Sequence, residues 1–522
     1  MPQLRVPVGH RILRRALALV LTGIAVVPTL SAQPAPPKRI AAVMARTEFA
    51  HAAWGMEFLD LATGQPIFAL NRQQLFVPGS TTKVVTMATA LETLGPDHRF
   101  RTRLYRTGPV VGGVVQGDLV LVASGDPNLS GRARGGRYAF FDQDHSYGGQ
   151  PLPEDPLMVL RAMARQVAGR GIRGVTGQVI VDASLFAEGD RELGTRVTLS
   201  PLVINDNVID LVVTPGATTG APATVTVSPV TSYLTVQAHL TTSDSGATPT
   251  IRMVEDSTNR DHRTLVITGS VPRGVPSNPQ WVVPAPSRFG EIVLADVLSA
   301  AGVPVIPRLA SRRMNAAELR RGYADSLLVA EHASLPLIEE ARVLLKTSQN
   351  LHASNFPLLL AALDTVRTPG RTGFDIAREL MQLHQLDLDG AVQGDGAGGD
   401  AFFAPAFVTR FLAMVWQRPY AAAFKAALPT LGVDGTLAAI QKGSAGAGKV
   451  FAKTGTYGRY DPLNRRQVIH GKGLAGFFTT ASGREVAFAI YVNNVAANVP
   501  DPAVLAGQAL GEIASIAWET IR

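Results

Sequence analysis

The sequence predicts an α/β fold in which one body, residues 36–96 and 325–522, is interrupted by a β-rich insertion over residues 97–324. Three observations lead there. Strand-like runs lie at both ends of the chain, helical periodicity dominates from about residue 324, and the stretch between carries short β-like runs divided by Gly, Pro and Ser turns. The insertion reads as two subdomains, the smaller near 214–272, where Thr, Pro and Gly are densest.

Met1 to about Ala32 reads as an export signal: Arg5, Arg11, Arg14 and Arg15, then apolar Ala16–Leu30, then the small residues Ser31 and Ala32. Its apolar run is short for a membrane span, which favours a cleaved leader over the alternative, an uncleaved anchor. Half of the net charge of +8 sits in those four arginines, so the remaining excess is too diffuse to point to nucleic acid and suits an anionic wall polymer. The chain has no cysteine, which excludes disulfide staples and thiolate chemistry and, for an exported protein, points to a bacterial envelope. An apolar fraction of 46% with 17% charged residues is that of a folded globular chain.

In order along the chain, residues 48–59 and Pro66–Leu70 read as a strand hairpin around Thr63-Gly64-Gln65. The run Val84, Met87, Ala88, Leu91 then gives a helix with one apolar side, stopped at Gly95-Pro96. Within the insertion, strands are expected at 118–123, 179–182, 225–227, 234–238 and 265–268, with one helix near 155–168. Helices follow at Leu337–Leu345, Leu351–Leu363, Phe374–Leu383 and Pro405–Trp416; strands return at Val450–Lys453, Gly473–Thr479 and Val486–Val492 before a final helix over Val504–Ile521.

Chemistry enters through three short motifs. Ser80 stands near a helix N-terminus with Lys83 one turn on, a hydroxyl beside an amine. Serine needs an adjacent base, and an amine becomes one when burial and neighbouring cations lower its pKa. Taken alone, the pair also reads as a helix cap and a solvated lysine. Ser348-Gln349-Asn350 joins two helices and can aim Ser348 and Asn350 into a cleft, or simply cap the second helix. Lys453-Thr454-Gly455-Thr456 reads as a strand edge that offers backbone groups to an extended peptide, while Lys453, Thr454 and Thr456 can hold a carboxylate. Only 8 of the 49 basic residues are lysines, yet Lys83 and Lys453 take two motif positions; arginine could not serve as a base there.

Ser-x-x-Lys, Ser-x-Asn and Lys-Thr-Gly in that order form the signature of penicillin-binding proteins and serine β-lactamases. With them, the chain resembles the low-molecular-mass class C penicillin-binding proteins, a D-alanyl-D-alanine carboxypeptidase/endopeptidase family. The resemblance continues at residues 94–102, Ser124-Gly125-Asp126-Pro127, Asn205-Asp206-Asn207-Val208, Asp395-Gly396-Ala397-Gly398 and residues 431–437. It implies a central antiparallel sheet with flanking helices and an accessory insertion between the first two motifs. Gln349 departs from the usual Asp or Asn, and Ala397 from the usual Ser.

The resemblance implies that Ser80 attacks the carbonyl of the penultimate D-alanine and that Lys83 takes its proton. Ser348 relays a proton to the leaving D-alanine, Lys453 keeps the network poised and Asn350 binds the acyl-side amide. Thr454 and Thr456 bind the terminal carboxylate, with the Ser80 and Thr456 N–H groups as oxyanion hole. Peptidoglycan stem peptides would be the substrate, β-lactams covalent inhibitors, and no metal or organic cofactor is implied; location would be the periplasm or cell envelope.

Other signals fall away. Gly394-x-Gly396-x-x-Gly399 lacks a strand-turn-helix setting and an acid about twenty residues on. The ten histidines show no metal spacing, and His352 and His384 read as core-edge or surface residues. Ser80 lacks the glycine two residues later that a Ser-His-Asp hydrolase elbow requires. A serine β-lactamase remains as a rival enzyme, though no deacylating glutamate is assignable, and a silent peptidoglycan-binding module remains as a rival outside catalysis.

Overall fold

In Glu485–Val495 the side chains alternate: Ala487, Ala489 and Tyr491 enter one core, Val486, Phe488, Ile490 and Val492 another, all fully buried. A strand apolar on both faces belongs at the centre of a sheet covered on both sides. The computed structural model places it there; residues 35–259, 261–306, 316–320, 322–365 and 369–522 are described, and the expected leader over 1–32 lies outside them. The sheet is antiparallel throughout, in the order Pro66–Leu70, Ala53–Asp60, Glu485–Val495, Arg466–Thr479, Val450–Asp461. The terminal helix Pro502–Thr520, capped by the Asp501 carboxylate, covers one face; the helices Thr82–Leu94 and Pro405–Trp416 pack on the other.

The Ser80 helix departs from its expected one-sided pattern. Every residue from Thr82 to Leu91 is buried, because the helix runs between the sheet and the helices Leu337–Thr347, Asn350–Leu363 and Gly373–Leu383. A helix in a protein interior needs no polar stripe. At the chain start, residues 47–49 form a 3-10 turn, so the first strand begins at Ala53 rather than 48.

The insertion is built on a four-stranded sheet, Val179–Asp182, Leu119–Val122, Arg101–Arg106 and Leu328–Ala333, backed by helices Met158–Gly169 and Pro286–Ala300. Its last strand lies beyond residue 324, where the insertion was expected to end; pairing of Leu328–Ala333 with Arg101–Arg106 carries that sheet through residue 333. The Thr-rich stretch forms two three-stranded sheets, one centred on Val208–Thr214 and one on Arg263–Pro272.

A buried ionic cluster joins the insertion to the helices behind the site. Asp206 takes Arg132 and His145 on one carboxylate oxygen and His352 Nε2 at 3.1 Å on the other. His145 also reaches Asp210 at 2.8 Å, and His352 reaches Glu340 at 2.9 Å. His352 is fully buried, contrary to the surface or core-edge reading: its helix faces another polar cluster instead of solvent. Burial alone would lower the pKa of both histidines, but their carboxylate partners outweigh it and hold each at about 9. At neutral pH Arg132 and two imidazolium groups therefore meet three carboxylates, Asp206, Asp210 and Glu340. Among the described residues no helix is long and apolar enough to cross a membrane.

Candidate active site

The edge strand Val450–Asp461 lies almost against the turn that carries Ser80. A methyl group at Gly455 would sit 1.9 Å from the Pro78 carbonyl oxygen, and one at Gly79, where φ is +50°, 2.6 Å from the Thr456 amide nitrogen. Two glycines thus permit the approach that sets Lys453–Thr456 beside Ser80. Ser80 is half-buried, and neither its 3-10 turn nor the following helix has a side-chain cap, so its hydroxyl is not spent on capping.

That hydroxyl is 2.7 Å from Lys83 Nζ. The same nitrogen donates to Asn350 Oδ1 and, at 3.2 Å, to the Ala397 carbonyl. A neutral amine has two N–H bonds and one lone pair; the two carbonyl acceptors take the N–H bonds and leave the lone pair facing the serine. Lys83 is fully buried, and desolvation lowers its pKa to about 8 against the opposing charges of Asp144, Glu192 and Asp395. Ala397 thus serves through its backbone: Asp395 accepts N–H bonds from residues 397, 398 and 399 and turns the carbonyl toward Lys83, so a side-chain hydroxyl is not needed.

Ser348 closes helix Leu337–Thr347 in the left-handed conformation (φ 66°), which turns it into the cleft shared with Ser80; among the described residues its hydroxyl has no hydrogen-bond partner. Gln349 is fully buried and caps the next helix by accepting the His352 N–H at 3.2 Å. The position where Asp or Asn is common has become structural. Asn350 is held from three sides: its N–H donates to Asp144 Oδ2 at 2.8 Å, its Nδ2 to the Tyr147 hydroxyl at 2.7 Å, and its Oδ1 receives Lys83.

Lys453 is fully buried and donates to the Thr454 carbonyl at 2.8 Å. Burial, with the charges of Lys83 and Lys472, pushes its pKa well below the usual lysine range. Thr454 Oγ1 bonds Thr436 Oγ1 at 2.7 Å, and Thr456 Oγ1 accepts from Lys472 at 2.7 Å. Of the eight residues singled out from the sequence, Ser80, Ser348, Asn350, Thr454 and Thr456 line the clefts here, whereas Lys83, Lys453 and Gly455 lie buried behind them. Ser80 stands where two clefts meet: about 230 Å³ toward Tyr147, Glu192, Gly194 and Gly398, and about 380 Å³ toward Ser348, Thr454 and Lys472.

Four groups at the groove were not foreseen. Asp144, Tyr147 and Glu192 come from the insertion, and no local motif marks them; only the folded chain brings them to Asn350 and Ser80. Glu192 also supplies a carboxylate beside Ser80 where none was assignable, although its Oε2 is engaged by the Thr195 N–H and hydroxyl. Lys472 did have a signal, since the scarcity of lysine that singled out Lys83 and Lys453 applies equally to it.

A serine–lysine pair under the edge of an antiparallel sheet, with Ser-x-Asn opposite Lys-Thr-Gly, defines the class of penicillin-binding proteins and serine β-lactamases. Residues 37–509 match the D-Ala-D-Ala carboxypeptidase 3 (S13) family, and the chain belongs to that family as a serine-type peptidase. It is 28% identical over 483 residues to a D-alanyl-D-alanine carboxypeptidase of Actinomadura sp. (strain R39), covering 85% of this chain and 82% of that one. It is 22% identical over 455 residues to the D-alanyl-D-alanine carboxypeptidase DacB of Haemophilus influenzae, covering 83% and 84%. The fold matches the crystal structure of penicillin binding protein 4 (dacB) from Haemophilus influenzae with a TM-score of 0.67 at 19% identity, over 92% of this chain and 99% of that one. The resemblance to low-molecular-mass class C penicillin-binding proteins, and the fold it implied, are borne out.

Proposed function

We propose that this chain is an exported D-alanyl-D-alanine carboxypeptidase/endopeptidase of the bacterial periplasm or cell envelope, acting on peptidoglycan stem peptides through an acyl-enzyme on Ser80. The observation that carries the reading is the three-way coordination of Lys83, which leaves its lone pair to the Ser80 hydroxyl 2.7 Å away.

The Ser80 Oγ–C bond forms at the penultimate D-alanine carbonyl as the hydroxyl proton passes to Lys83 Nζ. Backbone N–H groups of Ser80 and Thr456 receive the oxyanion. As the C–N bond breaks, the proton that Lys83 took from Ser80 passes by way of Ser348, on the cleft wall, to the amine of the departing D-alanine. Lys453, pushed toward neutrality, keeps the charge around Ser348 low enough for that relay. Asn350 has a double task, holding the base and presenting an amide to the acyl-side peptide, while Thr454 and Thr456 hold the leaving residue. Water then cleaves the ester. β-Lactams enter by the same first step, their ring amide replacing the scissile bond.

The test is release of free D-alanine from a stem pentapeptide ending in D-Ala-D-Ala, followed by mass, with a cross-linked muropeptide dimer in parallel. Because Lys83 must be neutral to act, kcat/KM is expected to rise about tenfold per pH unit on the acid side and to level near the value of about 8 set by burial. A rate flat across that range would remove Lys83 as the base. Rapid turnover of a penicillin without peptide cleavage would favour the β-lactamase reading, for which Glu192 is the available carboxylate.

A further inference from the structure

Within the insertion, the 3-10 turn His145–Tyr147 is tied down from behind. Asp144 caps it, accepting the Ser146 N–H at 2.8 Å and the Ser146 hydroxyl at 2.6 Å on Oδ1. His145 is locked between Asp206 Oδ2 at 3.0 Å and Asp210 Oδ1 at 2.8 Å. The turn so fixed offers two polar groups to the groove, and both meet one residue. The second oxygen of Asp144 accepts the Asn350 N–H at 2.8 Å, and the Tyr147 hydroxyl accepts from Asn350 Nδ2 at 2.7 Å.

Gly194 closes over the second contact. A methyl group there would sit 2.6 Å from the Tyr147 hydroxyl and 3.1 Å from Asn350 Nδ2, so bare backbone covers the pair. An asparagine pinned at its backbone nitrogen and at Nδ2 has little freedom left, and its remaining polar atom, Oδ1, is the one that receives Lys83. The acceptor for one Lys83 N–H is thus set in place before any substrate arrives. The buried Asp144 also acts on the base through its charge. Burial lowers the pKa of Lys83; the carboxylates Asp144, Glu192 and Asp395 oppose it, and Lys453 is the neighbouring cation.

We propose that Asp144 and Tyr147 are positioning residues for acylation: they hold Asn350, and through its Oδ1 they keep the Lys83 lone pair on Ser80. This rests on the acyl-enzyme reading of Ser80. The insertion is then a working part of the site, because two of the three holds on Asn350 come from one of its turns.

The experiment uses the full chain and measures second-order acylation rates by intact mass with two β-lactams, a penicillin and 6-aminopenicillanic acid, which lacks the acyl-side amide. Tyr147→Phe removes one hydroxyl from a ring that is 61% exposed. It is expected to slow both compounds about 3-fold to 10-fold, the range for one hydrogen bond between neutral groups, with the urea midpoint unchanged. In an Asn350→Ala background the same substitution should change the rate less than about twofold, because the group it acts through is gone. Asp144→Asn should slow both compounds about 10-fold to 100-fold, the range for a bond to a charged group. It should also move the acid limb of the pH profile to lower pH, since it withdraws a charge that favours protonated Lys83; a merely structural loss would leave that limb in place. The assignment is overturned if Tyr147→Phe slows neither compound, slows only the one that carries the amide, or slows the Asn350→Ala protein by the same factor. An acid limb that stays in place in Asp144→Asn takes Asp144 out of it. Failure of the unaltered protein to react with either compound overturns the acyl-enzyme reading, and this assignment with it.

Discussion

Lys83→Arg is expected to abolish acylation of Ser80, lowering the rate by about 10³-fold or more. The substitution keeps the positive charge, so a role confined to electrostatic steering would survive it. A guanidinium has no lone pair to offer at neutral pH and stays protonated even when buried. The site also has no room for a planar fork: Lys83 is fully enclosed, and its nitrogen is matched to Ser80 Oγ, Asn350 Oδ1 and the Ala397 carbonyl. Labelling of the variant by a fluorescent penicillin is the measurement, with circular dichroism as the control for folding. Undiminished labelling would show that another group takes the serine proton.

Asp206→Asn should be strongly destabilising, costing about 3–5 kcal/mol, because it leaves buried cations without their shared anion. Asparagine preserves the shape but faces Arg132, His145 and His352 with a neutral group. The effect is read as a lower urea midpoint. Its pH dependence has a definite sign. Both histidines have folded pKa values of about 9, above the ordinary 6.5, so their contribution is complete below about 6.5 and is lost as pH rises through about 9. Asp206, held well below its ordinary 3.8 by Arg132 and the two histidines in spite of burial, contributes above about that value and loses its contribution as pH falls. The native protein should therefore be most resistant to urea in mildly acid solution and weaken from about pH 7 to about pH 10; the variant should show a flatter alkaline decline. A variant as stable as the native chain would mean that the cluster adds nothing to holding the insertion against the helices Leu337–Thr347 and Asn350–Leu363.

The motif residues were legible because each chemical need fixes residue type and spacing locally: a hydroxyl and an amine one helical turn apart, a strand ending in Lys-Thr-Gly, a Ser-x-Asn helix junction. The helices from 337 to 416 were legible for a similar reason, since periodicity registers a one-sided core contact. Where burial is all-round, as for Thr82–Leu91, periodicity carries no information about orientation. Asp144, Tyr147 and Glu192 were invisible for another reason. Their task exists only once the insertion, remote from Ser80 and Asn350 in sequence, has docked beside them, a long-range pairing that no local pattern encodes. His352 was misplaced on the same ground: beside Glu340 and Asp206 it is a buried ion-pair partner, and nothing in its own helix announces the opposing carboxylates.

The convergence of Ser80, Lys83, Asn350 and the Lys453–Thr456 strand on one groove has a direct chemical readout. The purified chain is incubated with a penicillin at neutral pH, its intact mass is recorded, and the modified peptide is sequenced after digestion. A single adduct of the antibiotic's full mass on the Ser80 peptide, absent from Ser80→Ala, is the expected result. Folded protein that takes no adduct, or carries it on any other residue, would contradict the assignment of Ser80 as the nucleophile.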